Sequence, residues 1–184
     1  MLKTGVFLDR DDTIIKDQVY LSEPDRIEIL PGVAQAIALL NAQEIPVIVI
    51  TNQSGIARGV FNEATLEKIH RRMLAMFNEK GAAIDGIYYC PHHPEGSIKE
   101  FARQCECRKP QPGMLLRAAR DFNLKLENCY MVGDKEDDIE TIHRVGGKGV
   151  FISAIPLASN AVDADYTAHD LKDAVSWILK DMHK

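Results

Sequence analysis

The sequence predicts an α/β fold in which a doubly wound parallel sheet carries helices on both faces. Short apolar runs alternate along the chain with segments of helical periodicity, which is the order of a protein built from βαβ units. The run Pro46–Ile50 is almost wholly apolar and β-branched, as a strand buried on both faces should be. The 184 residues suit one hydrophobic core, so we expect a single domain over residues 1–184.

The first half of the chain supplies three strands and two helices. Thr4–Leu8 is a short apolar strand candidate that ends in a polar loop, and Pro46–Ile50 and Ile87–Tyr89 are the next two. Pro31–Gly32 opens the first helix, and Asn62 can cap the second. Apolar residues repeat at helical spacing after each start: Val33, Ile37 and Leu40 in the first helix, and Leu66, Ile69, Met73 and Phe77 in the second.

The second half continues the alternation. We predict strands at Tyr130–Val132 and Val150–Ile152, and helices at Met114–Phe122, Ile139–Val145 and Leu171–Met182. Two stretches should be irregular, Pro91–Gln111 and Ser153–Asp163, and Asp163 and Asp165 should flank a loop or a weak edge strand.

Composition limits the classes of function. The net charge of -5 argues against a nucleic-acid partner, because proteins that bind nucleic acid usually carry a basic face. No apolar run approaches the roughly 20 residues that span a bilayer, and acidic residues interrupt the only early apolar stretch, as they would not in a signal peptide. We therefore expect a cytoplasmic protein without a membrane partner, and a monomer by default.

Polar side chains, most of them acidic, follow several of the predicted strands. Asp9 and Asp11 come after the first strand, Thr51 after the second, and Asp134 after a later one. Ligands of open α/β sheets bind at the carboxyl ends of strands, so these residues should share a pocket. Crowded carboxylates need a cation to stay ionised together, and magnesium prefers oxygen ligands. The plainer alternative, a solvated acidic turn, is preferred only for Asp137, which suits a helix N-terminus.

This cluster has the groups that phosphate chemistry needs. A carboxylate is a competent nucleophile toward phosphorus, and a second one can donate and accept the proton. Thr51 and Lys109 could bind the phosphoryl oxygens where negative charge gathers. Arg58 and Arg108 could each hold a distal phosphate in a bidentate contact, although Arg58 is equally plausible as a surface arginine. Tyr20 could line the pocket or simply pack a flap.

Three cysteines and a histidine suggest a second metal. Cys90 and His92 are followed by Cys105 and Cys107, which fits a tetrahedral structural zinc site on the loop of residues 90–109. Free thiols, a disulfide, or His93 in place of His92 are the alternatives. The fourth cysteine, Cys129, should be a buried small apolar residue.

The motifs together resemble those of the haloacid dehalogenase superfamily of phosphatases, whose fold is Rossmann-type. The strings that carry the resemblance are Asp9-Arg10-Asp11-x-Thr13, Thr51-Asn52, Arg108-Lys109-Pro110 and Gly133-Asp134-x-x-x-Asp138. Many members carry a separate cap domain, but only about 17 residues lie between Thr13 and Pro31, too few for one. We therefore expect no cap domain and a rather open site.

The resemblance also implies roles. Asp9 would be the nucleophile and Asp11 the general acid and base, with Thr51 and Lys109 stabilising the phosphoryl group. Magnesium would be held by Asp9, the backbone oxygen of Asp11 and Asp134, with Lys135 beside it, and zinc by Cys90, His92, Cys105 and Cys107. The candidate substrate contacts are Asp17, Gln18, Val19, Tyr20, Asn52, Gln53, Ser54, Arg58 and Arg108.

The implied substrate is a small phosphorylated sugar. A histidinol-phosphate phosphatase and a non-catalytic phosphosugar-binding protein remain as alternatives, while the acidic charge argues against a polynucleotide 3′-phosphatase. One position departs from the family, which usually has glycine after its second catalytic aspartate, where this chain has Asp12. Because aspartate tolerates unusual backbone conformations better than most residues, we expect the loop to keep its shape.

Overall fold

A computed structural model describes residues 3–153 and 162–183, which form a six-stranded, wholly parallel sheet flanked by helices. The strand order is β3-β2-β1-β4-β5-β6. The strands are β1 Val6–Leu8, β2 Val47–Asn52, β3 Gly86–Cys90, β4 Tyr130–Gly133, β5 Lys148–Ile152 and β6 Tyr166–Ala168, and the helices are α1 Val33–Ala42, α2 Glu63–Glu79, α3 Gly113–Phe122, α4 Glu136–His143 and α5 Leu171–Asp181.

Each face of the sheet has its own hydrophobic core. Alternate residues of β1 and β2 point to opposite sides, so Leu8 and Val49 join one core while Phe7 and Ile48 join the other. Apolar side chains of α1, α2 and α5 complete the first core, and those of α3 and α4 complete the second. The doubly wound architecture predicted from the sequence is confirmed.

Most differences from the predicted elements lie at their ends. The second strand continues two residues beyond Ile50, because Thr51 and Asn52 still pair with Tyr89 and Cys90 of β3. Thr51 and Asn52 are thus the last residues of β2 and do not follow it, which corrects the prediction. An edge strand, β6, follows Asp165 directly. Most of the predicted irregular stretch Ser153–Asp163 lies outside the described residues.

The start of α4 also differs from the prediction. The helix begins at Glu136, three residues before the predicted Ile139, because acidic residues in a first turn stabilise the helix N-terminus. Asp137 lies exposed in that turn, as expected for a helix-terminal acid. Asn62 caps α2 by accepting a hydrogen bond from the backbone N–H of Thr65 at 2.9 Å, as predicted.

No cap domain covers the carboxyl edge of the sheet in the described part of the chain. The segment between β1 and α1 holds only a short 3-10 turn at Pro24–Arg26 and isolated bridges at Ile15. Between β3 and α3 the chain forms turns without a helix or strand, as predicted. Within residues 3–153 and 162–183, no helix has the length and apolar content needed to cross a membrane.

Candidate active site

The carboxyl ends of β1, β2 and β4 bring the predicted catalytic residues together. In the register of the sheet, Leu8 pairs with both Val49 and Val132, so the residues that follow these positions lie at one edge. Asp9 leaves β1 and is only 3% exposed, with its backbone N–H bound to the carbonyl of Val132 at 2.9 Å. Thr51 is also buried there.

Lys109 lies at the centre of this cluster. Its Nζ donates to Asp9 Oδ1 at 2.6 Å, to Asp138 Oδ1 at 2.5 Å and to the carbonyl of Ile50 at 3.0 Å. Burial alone would lower the pKa of Lys109, but the charges of Asp138 and Asp9 raise it. The ammonium group therefore stays charged and forms ion pairs with both buried carboxyl groups.

Asp138 is a functional residue to which the sequence analysis gave no separate role. Its Oδ2 accepts a hydrogen bond from the backbone N–H of Lys135 at 3.1 Å, which caps α4, while its other oxygen binds Lys109. Gly133 makes the approach possible, because a Cβ there would lie 2.1 Å from Asp138 Oδ2. Burial raises the pKa of Asp138, and the charge of Lys109 opposes that shift.

The same cluster fits a divalent cation. Carboxylate oxygens of Asp9, Asp134 and Asp138 lie within 4.8 Å of one another. Within the described chain, Asp134 Oδ1 is buried without a hydrogen-bond partner, which is costly unless an ion or water satisfies it. Burial raises the pKa of Asp134 to about 6, with a further contribution from the charge of Asp9. A hard cation with oxygen ligands would remove both problems.

Asp11 is held from two sides. Both of its carboxylate oxygens accept hydrogen bonds from Arg10 Nη2, at 2.9 and 3.0 Å. Gln53 Nε2 donates to Asp11 Oδ2 at 3.0 Å and to Thr51 Oγ1 at 2.8 Å. Burial raises the pKa of Asp11 although the charge of Arg10 lowers it, so this carboxyl holds a proton more readily than an ordinary aspartate.

A cleft of about 260 Å³ opens beside Asp11. Its lining includes six of the nine predicted substrate contacts, namely Asp17, Val19, Tyr20, Asn52, Gln53 and Ser54. Asn52 also holds the backbone of Lys109, donating to its carbonyl at 3.2 Å and accepting from its N–H at 3.0 Å. Lys135 closes the cleft on another side, and acidic neighbours raise its pKa against the effect of burial.

The other three predicted contacts do not line this cleft. The side chain of Gln18 donates to the carbonyl of Arg26. Arg108 Nη1 donates to the carbonyl of His92 at 3.3 Å, and Arg58 Nη2 lies 3.3 Å from His93 Nε2. Burial first, and then the charges of Arg108 and Arg58, lower the pKa of His93, so both arginines act on one place at the surface.

The loop that carries Asp11 has an unusual backbone. Asp12 adopts a left-handed φ of 57°, a conformation that glycine reaches without strain and that aspartate tolerates better than most residues. Its side chain accepts a hydrogen bond from the backbone N–H of Asp17 at 2.9 Å. Val19 and Tyr20 also have positive φ values of 46° and 69°, and this strain lies in the segment that borders the cleft.

The cysteine and histidine residues of the loop 90–109 converge. The three thiol sulfurs of Cys90, Cys105 and Cys107 lie 3.2 to 3.5 Å apart, and His92 Nδ1 lies 3.6 Å from Cys90 Sγ and 3.4 Å from Cys107 Sγ. Zinc–sulfur bonds of about 2.3 Å in a tetrahedron would hold sulfurs about 3.7 Å apart. The donor set and its spacing therefore fit zinc.

Two of the alternatives for these residues are less compatible with the structure. No disulfide joins any of the four cysteines. His93 does not face the cluster, because its Nδ1 accepts a hydrogen bond from the backbone of Glu95 at 3.1 Å. Cys129 is fully buried in the core beside α3, where its Sγ accepts from the backbone N–H of Gly5 at 3.3 Å, as expected for a buried cysteine.

A family model for haloacid dehalogenase-like hydrolases matches residues 3–146. The chain belongs to this family. The hydrolase is 44% identical over 180 residues to D-glycero-β-D-manno-heptose-1,7-bisphosphate 7-phosphatase of Salmonella typhi, covering 96% of this chain and 95% of that one. It is 42% identical to the protein of the same name from Escherichia coli K12, with 96% and 94% covered.

A solved structure of similar name has the same fold. The crystal structure of D,D-heptose 1,7-bisphosphate phosphatase from B. bronchiseptica, complexed with magnesium and phosphate, matches the hydrolase with a TM-score of 0.81 and 30% identity. The match covers 97% of this chain and 99% of that one. The absence of a large insertion in either chain agrees with the fold predicted from the sequence.

Proposed function

We propose that the hydrolase removes the 7-phosphate of D-glycero-D-manno-heptose 1,7-bisphosphate, a cytoplasmic step in nucleotide-heptose biosynthesis. The observation that carries the chemistry is Lys109 Nζ at 2.6 Å from Asp9 Oδ1 at the tip of β1, beside the unpartnered oxygen of Asp134. The substrate is supported by curated relatives at 42–44% identity that cover nearly the whole chain. Their names specify the β-anomer, and we extend that preference to this chain.

In the first step, Asp9 is the nucleophile. One of its oxygens attacks the phosphorus, the bond from phosphorus to the sugar oxygen breaks, and the phosphoryl group is left on Asp9 as an acyl phosphate. Lys109 and the hydroxyl of Thr51 bind the phosphoryl oxygens, where negative charge increases in the transition state. Asp11 gives its proton to the departing sugar oxygen, for which its raised pKa is suited.

In the second step, water displaces Asp9 from phosphorus. Asp11, now a carboxylate, takes a proton from the attacking water, and the products are inorganic phosphate and free Asp9. The open cleft beside Asp11 gives water access to this position.

Asp9, Asp134 and the backbone oxygen of Asp11 are proposed to hold magnesium, with Lys135 adjacent. The bound ion would neutralise charge on the phosphoryl group and orient it for attack. Cys90, His92, Cys105 and Cys107 are proposed to hold a structural zinc ion, whose four protein ligands leave no open position for chemistry.

The 1-phosphate of the substrate needs a separate anchor, for which we propose Arg58 and Arg108. Both lie beside His93 and do not line the cleft next to Asp11. Guanidinium groups bind phosphate through paired hydrogen bonds, so this placement would orient the sugar with its 7-phosphate toward Asp9.

Phosphate release from four compounds tests the proposal: the β- and α-anomers of the heptose bisphosphate, the heptose 7-phosphate, and histidinol phosphate. We expect the highest kcat/KM for the β-anomer, loss of turnover with a magnesium chelator, and an acid-stable, base-labile phosphoenzyme after rapid quenching. A higher kcat/KM for histidinol phosphate would replace the substrate assignment. Release of no phosphate from any of the four would remove the phosphatase assignment itself.

A further inference from the structure

Behind the catalytic loop, a buried arginine contacts a buried histidine that takes no part in the chemistry described above. Arg10 is 2% exposed, and its Nη1 lies 3.4 Å from Nε2 of His70, which is 8% exposed and belongs to α2. The same guanidinium binds Asp11 through Nε and Nη2, at 3.1 and 2.9 Å. The contacts thus run from helix α2 to the carboxylate proposed as general acid.

We propose that His70 is a positioning residue, which fixes the Arg10 guanidinium and through it the orientation of the Asp11 carboxylate. This inference rests on the proposed function, since it concerns the residue that protonates the departing sugar oxygen. His70 touches none of the reacting groups and acts only through Arg10.

The geometry explains why Arg10 needs a contact at Nη1 as well. A guanidinium is rigid and planar, so its orientation is set by where its nitrogen atoms are held. Asp11 holds the edge formed by Nε and Nη2, and Gln53 Oε1 accepts from Nη2 at 3.0 Å. His70 faces Nη1 on the remaining side. Without it, a buried donor would lose its partner and the plane could tilt away from Asp11.

His70 has to be a neutral hydrogen-bond acceptor for this role. Arginine only donates, so the facing Nε2 must carry a lone pair. Burial first, and then the charge of Arg10, lower the pKa of His70 to about 3, which keeps the ring uncharged at the pH of the cytoplasm. The ring also packs edge-on against Tyr89, with centroids 5.9 Å apart, and the Tyr89 hydroxyl donates to Glu63 at 2.8 Å. These contacts limit rotation of the imidazole.

The test compares two leaving groups. A sugar alkoxide needs a proton from Asp11 as it departs, whereas p-nitrophenolate departs readily without one. The value of kcat/KM reports the steps up to departure of that group, before water attacks the acyl phosphate. A fault in the orientation of Asp11 therefore lowers kcat/KM for the heptose bisphosphate much more than for p-nitrophenyl phosphate.

Four variants make the comparison specific. His70→Leu removes the acceptor, His70→Asn is too short to reach Arg10, and His70→Gln offers an amide oxygen at greater length. Asp11→Asn gives the full loss of the acid. The matched control is Met73→Leu, a buried change on the same face of α2 whose side chain packs in the core. Thermal unfolding of each variant shows whether it is folded.

We expect His70→Leu and His70→Asn to lower kcat/KM for the sugar substrate by roughly tenfold or more, since small misplacements of catalytic groups have costs of this order. The value of kcat/KM for p-nitrophenyl phosphate should change by less than about threefold. Asp11→Asn should show the same inequality between the two substrates, with a larger loss on the sugar substrate. His70→Gln should recover most of the loss, and Met73→Leu should leave the ratio unchanged.

Equal losses on both substrates, or no loss on either, would overturn the role of His70 while leaving the proposed function intact. A wild-type protein that hydrolyses neither compound would overturn the proposed function and this inference with it. If His70→Leu does not fold, the folded His70→Asn and His70→Gln variants supply the same contrast.

Discussion

The hydrolase has two clusters of possible metal ligands, which are built in different ways. In the acidic pocket, Asp9 lies more than 120 positions before Asp134 and Asp138, and the three are placed by strand ends and by the start of α4. In the cysteine loop, all four possible ligands lie within residues 90–107, where the described structure has no helix and no strand after β3. We therefore expect the pocket to keep its shape without an ion, and the loop to depend on the proposed zinc ion for its shape.

Lys109 connects the two regions. It follows Cys107, the last residue of the cysteine cluster, by two residues, and its ammonium group lies between Asp9 and Asp138. The paired hydrogen bonds from Asn52 hold the Lys109 backbone to the end of β2 independently of the loop. Damage to the zinc site should therefore weaken the pocket without abolishing it, and the following predictions test that ranking.

The largest effect is expected from Asp9→Asn. An amide is a far poorer nucleophile than a carboxylate, so turnover should fall on the order of a thousandfold or more. Lys109 keeps Asp138 as a partner in this variant, so the melting temperature should stay within about 4 °C of the wild-type value. Phosphate release and calorimetry check the two expectations. Turnover close to wild type would show that the nucleophile lies elsewhere.

A smaller loss of activity is expected when zinc is removed. Chelation, or the substitution Cys107→Ser, should make residues 91–107 sensitive to limited proteolysis, because the loop has little regular structure of its own. Activity should fall by roughly tenfold through displacement of Arg108 and Lys109. Metal analysis should find one zinc ion per folded chain. Unchanged proteolysis and unchanged activity in the stripped protein would contradict a structural zinc.

The change Arg58→Ala should affect binding alone. If Arg58 holds the 1-phosphate, KM for the bisphosphate should rise roughly tenfold while kcat is retained. This matches the low end of about 1.5–3 kcal/mol for a hydrogen bond to a charged group, because Arg58 is exposed. The heptose 7-phosphate, which lacks that group, should show no difference between variant and wild type. Arg71→Ala, which removes an exposed arginine from α2, is the matched control. An equal rise in KM for both substrates would refute this assignment.

The smallest effect is expected from Asp12→Gly. Glycine accepts the φ of 57° without strain, and the change removes a negative charge near Asp134, at the cost of the hydrogen bond to Asp17. Activity should be retained or rise by up to about threefold. Asp12→Ala should instead lose about 1 kcal/mol of folding free energy, because alanine is strained there. A large fall in turnover of Asp12→Gly would mean that Asp12 has a direct role.

The fold could be predicted from the sequence because its signals are local. Buried parallel strands are apolar and β-branched, as in Pro46–Ile50, and the start of α2 carries its own cap at Asn62. The end of β2 could not be predicted from such local signals. Whether Thr51 and Asn52 continue the strand depends on pairing with Tyr89 and Cys90, about 38 positions further along the chain.

The motifs of the candidate site could be predicted from the sequence, but the contacts that hold its side chains in place could not. Asp9, Asp11 and Asp134 stand out as acids after strands, but Arg10, Asp138 and His70 matter through contacts that only the fold creates. A signal for His70 was present, because it lies four residues after Leu66 and three before Met73, on the apolar face of α2. A histidine at a core position needs a partner, and Arg10 is that partner.

The central position of β1 in the sheet has a consequence for when the enzyme can become active during its synthesis. Its neighbours are β2 and β4, and β4 ends at Gly133, more than 120 positions after Asp9. A nascent chain on the ribosome that ends at Gly133 has neither Asp134 nor Asp138, so we expect it neither to hold the proposed divalent ion nor to release phosphate. Pairings this distant in sequence also slow folding. Activity should thus arise late in synthesis and in a single step, with no active fragment before it.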